Sequence, residues 1–351
     1  MPSVPLVPST SAGRELLGPI TTTAPNPAFH SAWPWPLLSL AIVLLCALLL
    51  LALIMVALMS TMMLRPPRMV GGRALGILGR LSPADLNLAY QSLTFEVADA
   101  ARHGAPLRMA AWWIPCPGSP ATDQCVLLMH GYADSKIGAI AWAPLWHQLG
   151  FHVLAVDSRA HGESGGRYCT AGFFERHDFN ALIDQLRARL PRQTQNLVLF
   201  GISMGAAIAL ATAQSRSTDI RAVVIDSPYA DFARACFNHA RLVNLPSPTL
   251  QKLALNLGQW RAGADLNQVR PVDMIPNLPC PLLVIQSAHD PLVPPVDARE
   301  IQSATQALRA KDGISEYWLA DADHILAVRD LTTEYAARVS AFLSRAAVAV
   351  N

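Results

Sequence analysis

From Leu37 to Leu64 the chain runs for 28 residues without a charged side chain. A helix needs about 20 mostly apolar residues to cross the hydrocarbon core of a bilayer. Core helices rarely run this far without a charge, so the stretch predicts a membrane-spanning helix over 37–64. Its flanks agree. Trp33 and Trp35 stand at one end and Arg65 and Arg68 at the other. Tryptophan prefers the membrane interface, and arginine marks the side that stays in the cytoplasm. The N-terminal side offers Arg14, whereas Arg65, Arg68, Arg73 and Arg80 follow the run. The positive-inside bias predicts a single-pass protein of the inner (cytoplasmic) membrane, with the large C-terminal part in the cytoplasm.

A cleaved signal peptide would need a basic start, a shorter apolar run and a small-residue cleavage site. Met62, Met63, Leu64 and Arg65 provide no such site. Cys46 lies in mid-run behind Leu44 and Leu45, which does not suit lipid attachment. A retained anchor is expected. The other five cysteines, Cys116, Cys125, Cys169, Cys236 and Cys280, are odd in number, and no C-x-x-C pair occurs. Buried free thiols fit them better than a disulfide framework.

Residues 1–36 are rich in Pro, Ser and Thr and lack hydrophobic periodicity, which predicts a flexible tail. Residues 65–89 form a juxtamembrane connector, partly helical at best. From about residue 90 short apolar runs alternate with helical stretches. Leu93–Val97 and Met109–Ile114 predict a hairpin. Cys125–Met129, Val153–Val156, Leu197–Phe200, Val223–Ile225, Leu282–Ile285 and Tyr317–Leu319 predict buried strands. Ile137–Leu149, Phe179–Leu190, Met204–Ala213 and Thr332–Ala347 predict helices. Such alternation implies an α/β fold, a mostly parallel sheet covered on both faces, over residues 90–351. Residues 231–275 are helical and interrupt it. They read as a small cap over the sheet's C-terminal edge, where open α/β sheets place ligands.

Gly201-Ile202-Ser203-Met204-Gly205 sits between a predicted strand and a predicted helix. A serine hydroxyl is a weak nucleophile until a base removes its proton. A sharp strand-to-helix corner lifts it clear of the sheet, with small residues on either side relieving the crowding. The base and its orienting acid are expected after later strands, in the order serine, acid, histidine. The strand Leu282–Ile285 leads to Asp290, and Tyr317–Leu319 leads to His324. Asp226, after Val223–Ile225, is the alternative acid. An oxyanion needs preorganised donors. The backbone N–H of Met204 supplies one, and that of Tyr132, in the loop after Cys125–Met129, supplies the other. Gly131 is read as permitting the tight turn of that loop, and His130 as holding it by hydrogen bonds.

The series Leu127-Leu128-Met129-His130-Gly131-Tyr132, Asp157-Ser158-Arg159-Ala160-His161-Gly162-Glu163-Ser164, Gly201-Ile202-Ser203-Met204-Gly205 and Asp226-Ser227-Pro228-Tyr229-Ala230-Asp231 resembles the α/β-hydrolase superfamily. Within it, the chain is similar to bacterial serine hydrolases related to serine aminopeptidases and to BEM46-like proteins. The resemblance spans roughly residues 90–345. It implies structural roles for Arg159 and His161. Ala160 departs from the glycine usual after that arginine, which alters turn geometry. Glu175-Arg176-His177-Asp178 is expected to form a solvated helix start.

The expected activity is hydrolysis of an ester or thioester, with an amide less favoured, through an acyl-serine intermediate. Neither a metal nor an organic cofactor is expected. The expected substrate is a small-molecule or lipid-like acyl compound, because the anchor holds the enzyme at the membrane. A membrane-tethered scaffold that kept the fold and lost the activity is the competing reading. Hydrophobic residues make up 52% and charged residues 15%, with a net charge of +2, so neither disorder nor nucleic-acid binding is expected. The sequence carries no signal for an oligomeric state.

Overall fold

The computed structural model describes residues 35–116, 123–216, 219–242, 244 and 247–348. All of the expected tail but its last two positions lies outside them. The chain divides into two units, residues 1–50 and 51–351. In the first, every described residue is helical. The seven longest helices among the described residues are labelled here as α1 Trp35–Leu64, α2 Glu175–Arg189, α3 Met204–Gln214, α4 Phe232–Leu242, α5 Pro248–Ala262, α6 Pro295–Asp312 and α7 Thr332–Arg345. The strands are β1 Gln91–Asp99, β2 Ala105–Ile114, β3 Gln124–Met129, β4 His152–Val156, β5 Asn196–Ile202, β6 Ile220–Asp226, β7 Leu282–Ser287 and β8 Glu316–Ala320.

The strands form one sheet in the order β1-β2-β4-β3-β5-β6-β7-β8. The β1–β2 and β2–β4 pairs are antiparallel and the others parallel. Every residue of β3, β4 and β7 is buried, as a sheet covered on both faces requires. Successive residues feed opposite cores. Leu127, Leu154, Leu199, Val223 and Val284 pack on one side with α2 and α3. Val126, Val153, Val198, Val224 and Leu283 pack on the other with α7. The edge strand β1 alternates exposed and buried positions, the period-2 pattern of a half-covered strand.

Three expectations need correction. The helix expected over Ile137–Leu149 is broken into Lys136–Ala139, a 3₁₀ turn at Ile140–Trp142, and Ala143–Gln148. Helix α6 was not expected at all. Its buried residues are only Asp297, Ile301, Ala304, Thr305 and Leu308, too weak an apolar stripe for periodicity to register. Nor is the start of α2 solvated. Glu175 and Asp178 are buried. Glu175 accepts from Thr170 and Gly172 N–H groups at 2.7 and 2.9 Å. Asp178 takes a two-pronged grip from Arg159, both bonds 2.6 Å long. A buried carboxylate tolerates the loss of water only when partners of this kind replace it.

The connector is pinned to the domain. Met69 and Ala74 are buried in the second core. Arg68 donates to the carbonyls of His161, Gly162 and Ser164 at 3.1, 2.7 and 2.7 Å. Arg80 donates to those of Ile137 and Gly138 at 2.9 and 3.0 Å. Within the second unit the last turn of α1 is also tied down. Leu64 is buried and its carbonyl accepts the Cys169 N–H at 2.8 Å. Arg261 on α5 donates to the Ser60 and Thr61 hydroxyls at 3.1 and 2.9 Å.

Candidate active site

At the C-terminal end of β5 the chain turns into α3 through Ser203, whose φ and ψ are 52° and −111°. A non-glycine residue at positive φ is strained. The flanking glycines show why the corner closes. A Cβ on Gly205 would lie 2.0 Å from the Met129 carbonyl oxygen, and one on Gly201 would lie 2.3 Å from the Gly205 carbonyl oxygen. The Ser203 N–H donates to the Asp226 carbonyl at 2.8 Å, fixing the corner to the end of β6.

The loops after β7 and β8 bring Asp290 and His324 together, with Asp290 Oδ2 2.5 Å from His324 Nδ1. The other carboxylate oxygen of Asp290 accepts the N–H groups of Leu292 and Val293 at 2.8 and 3.1 Å. With Nδ1–H donating to Asp290, Nε2 of His324 carries the lone pair. Neither Nε2 nor the Ser203 hydroxyl has a hydrogen-bond partner among the described residues. Asp226, the alternative acid, points elsewhere. It is fully buried and accepts from the Tyr335 hydroxyl and the Ser227 hydroxyl, each at 2.8 Å. Burial above all pushes its carboxyl up to about 6, against those two hydrogen bonds.

Ser227 was not singled out from sequence, although it directly follows Asp226. Its φ is 52°. Its hydroxyl accepts the N–H of Ile325, the neighbour of His324, at 3.1 Å. Through Asp226 and Ser227 the imidazole loop is thus registered to the serine corner. Tyr335 was also missed. Its hydroxyl accepts from the Trp142 indole at 3.1 Å and donates to Asp226.

The N–H groups of Tyr132 and Met204 have no hydrogen-bond partner among the described residues. The loop of Tyr132 lies against the corner, since a Cβ on Gly131 would meet Ser203 Cβ at 3.6 Å. That is ordinary contact, and Gly131 is not at positive φ. The left-handed residue of this loop is Ala133, at φ 60°, so Gly131 does not supply the tight turn expected of it. The Tyr132 hydroxyl donates to the Met62 carbonyl, in the last turns of α1. Cys169, bonded to Leu64, lies with its sulfur 3.3 Å from that of Met204.

Two histidines brace the loop that carries Tyr132. His130 Nε2 accepts the Ser158 N–H at 3.0 Å, and Nδ1 donates to the Gly131 carbonyl at 2.7 Å. His161 Nδ1 donates to the Arg159 carbonyl at 2.9 Å, and Nε2 accepts the Ala133 N–H at 3.4 Å. Each ring acts as donor and acceptor, which only the neutral form allows. Burial accordingly pushes His130 down to about 4 and His161 to about 3. Arg159 is buried between Asp178 and Asp99, the latter at 3.1 Å. Ala160 stands at φ 61°, so alanine here occupies a left-handed conformation that glycine takes without strain.

A pH effect follows. Unfolded, His130 titrates near its ordinary value of about 6.5. Folded, it stays neutral down to about 4. Between those values the unfolded chain binds the extra proton, so this group's contribution to stability falls as pH drops. Buried carboxylates pushed upward, such as Asp226 and Asp134, act in the opposite sense. The clean observable is therefore a difference. Urea unfolding of the wild type and of His130→Gln should show a stability gap that is widest near pH 7 and narrows toward about pH 4. A gap independent of pH would mean that His130 is not held neutral.

No group of three or more metal-ligating side chains occurs among the described residues. None of the six cysteines forms a disulfide.

Comparison with known proteins gives a consistent picture. The family model described as serine aminopeptidase, S33, matches residues 120–269. That span holds the Ser203 corner and the Tyr132 loop but neither Asp290 nor His324. The uncharacterized protein YqkD of Bacillus subtilis is 28% identical over 228 residues, 63% of this chain and 72% of that protein. A lysophosphatidylserine lipase of Macaca fascicularis is 21% identical over 225 residues, 57% of this chain, and the match spans about half (52%) of the lipase. Among solved structures, an esterase of Pyrococcus furiosus aligns with a TM-score of 0.63 at 26% identity, covering 81% of this chain and 98% of the esterase.

Proposed function

Because this chain belongs to the α/β-hydrolase superfamily, with the fold of its esterases, we propose that it is a membrane-anchored serine hydrolase. It cleaves an ester or thioester bond through an acyl-serine intermediate. The observation that carries the reading is the Asp290–His324 pair, 2.5 Å across, on the sheet edge that also presents Ser203 at a strained corner.

In this reading His324 Nε2 takes the proton of the Ser203 hydroxyl as its oxygen attacks the acyl carbon. The N–H groups of Tyr132 and Met204 stabilise the negative oxygen of the tetrahedral intermediate. Its collapse expels the alcohol or thiol, which leaves with the proton carried by His324. Water then attacks the acyl-serine, giving its proton to His324, and the acid departs as Ser203 is reprotonated. Asp290 holds the imidazole in the required tautomer and stabilises its charged form. Arg159, His130 and His161 shape the loops and move no proton.

Anchoring rests on α1, a helix of 30 residues with a mean hydropathy of 3.3 in its most apolar window. Its arginine flank orients the hydrolase domain toward the cytoplasm. The helices α4 and α5 form the cap, and α5 grips the end of α1 through Arg261. An acyl substrate drawn from the membrane fits this arrangement. The kinship with a lysophosphatidylserine lipase and an esterase favours ester over peptide cleavage.

The test is labelling of the full-length protein with a fluorophosphonate, followed by a panel of short esters, long acyl esters, acyl thioesters and aminopeptidase substrates. The expected result is covalent labelling at Ser203 and turnover of acyl esters or thioesters. Folded protein that takes no label would overturn the enzyme in favour of a tethered scaffold.

A further inference from the structure

A cavity of about 280 Å³ lies just beyond the last turn of α1, lined by Arg65, Pro66, Arg68, Ala160, Gly166 and Arg167. Three of its six lining residues are arginines and none is acidic. The positive charge extends past the cavity wall. The guanidinium carbons of Arg65, Arg167 and Arg261 stand 5.2, 4.9 and 5.7 Å from the centre of the Tyr168 ring. No two of them can therefore be farther apart than about twice that radius, which is comparable to the Debye length of about 8–10 Å in physiological salt. Among the described residues, none of Arg65, Arg68, Arg167 and Arg261 is within ion-pair distance of a carboxylate. Like charges held this close repel, and the ring relieves the repulsion only in part. A bound anion would relieve it fully. Guanidinium groups offer paired N–H donors that match phosphate oxygens.

The framework is preformed. Arg68 is fixed by its three carbonyl bonds, and Arg261 by the hydroxyls of Ser60 and Thr61. Among the described residues the side chains of Arg65 and Arg167 donate no hydrogen bond to the protein, so their guanidinium donors remain available, although the Arg65 backbone N–H donates to the Thr61 carbonyl at 2.8 Å. The placement along the chain decides between sources of the anion. Arg65 directly follows Leu64, the final residue of the apolar helix. If α1 spans the bilayer, the cavity sits at the depth of the lipid headgroups.

We propose that this arginine-lined cavity binds the phosphate of an anionic phospholipid headgroup, clamping the hydrolase domain against the membrane surface at the end of its anchor. The proposal rests on the membrane-span reading of α1, and the experiment separates the two.

The full chain is reconstituted with phosphatidylcholine vesicles or with phosphatidylcholine vesicles containing phosphatidylglycerol. Flotation is scored, and thermal unfolding of the domain is followed by circular dichroism. The wild type should float with both. Phosphatidylglycerol should raise its unfolding midpoint by roughly 5 °C, the size expected for a ligand well above its dissociation constant. The double variant Arg65→Gln, Arg167→Gln leaves the fixed Arg68 and Arg261 in place and should lose that shift. Flotation with both vesicles but identical midpoints would overturn the headgroup site and leave the anchor standing. An equal shift from inorganic phosphate added to phosphatidylcholine vesicles would overturn the lipid as source in favour of a free anion. Failure to float with either would overturn the anchor itself. Should the double variant not fold, native mass spectrometry of the wild type from mixed-lipid micelles decides. Preferential retention of phosphatidylglycerol supports the site, and equal retention of both lipids overturns it.

Discussion

Ser203→Ala and His324→Ala should each lower kcat on an acyl ester by about four to six orders of magnitude, and the double variant should be no slower than either alone. The reasoning starts from the corner. A serine hydroxyl at neutral pH is almost wholly protonated, and only a base within reach makes it a nucleophile. Without the hydroxyl there is nothing to acylate. Without the imidazole the proton has nowhere to go. Each loss disables the same step, so the effects do not add. Neither change should disturb folding. The Ser203 hydroxyl has no hydrogen-bond partner among the described residues, and the strained backbone is set by the Gly201 and Gly205 contacts and by the Asp226 carbonyl. His324 is partly exposed, and among the described residues its side chain bonds only to Asp290. Steady-state rates with a nitrophenyl ester, alongside far-UV circular dichroism, check both halves. A Ser203→Ala variant within tenfold of wild type would remove the serine from the chemistry.

Much of this was legible because the relevant signals are local. Strands β3, β4 and β5 are buried on both faces, so they read as continuous apolar runs between turn residues. The corner at Ser203 announces itself because only glycine fits at 201 and 205, where a Cβ would strike carbonyl oxygens. What stayed hidden depends on contacts made across the fold. Helix α6 buries one modest stripe and carries Arg299, Glu300, Arg309 and Lys311 elsewhere, so its period is faint. Glu175 and Asp178 read as solvated charges because their partners, Thr170 and Arg159, lie in a preceding loop whose path the sequence does not show. Ser227 and Tyr335 look ordinary until the fold brings Ile325 to the Ser227 hydroxyl and Tyr335 to Asp226. The attachment of the last turn of α1 to Tyr132, Cys169 and Arg261 is wholly tertiary, joining positions up to 201 residues apart.

The choice between the two acids gives the sharpest contrast, with Asp290→Asn lowering kcat by about 10⁴ and Asp226→Asn leaving it within about tenfold. Asp226 ends one strand and Asp290 closely follows another of the same sheet, so strand position alone does not separate them. Their partners do. Asp290 Oδ2 faces His324 Nδ1 at 2.5 Å, while its Oδ1 is held by the Leu292 and Val293 N–H groups. An asparagine there, with Oδ1 kept by those two N–H donors, would turn its NH₂ group toward Nδ1. The ring would then carry its proton on Nε2, the nitrogen that must accept from Ser203. The geometry would survive and the tautomer would be wrong. Asp226 instead spends both oxygens on the hydroxyls of Tyr335 and Ser227. Asparagine there disturbs the bond that steadies Ile325, so it should lower stability and broaden the loop without reversing the imidazole. The two outcomes separate in one experiment, comparing kcat and urea midpoints for both variants. Should Asp226→Asn prove the slow enzyme and Asp290→Asn the fast one, the imidazole takes its orientation from β6, and the 2.5 Å contact has no part in turnover.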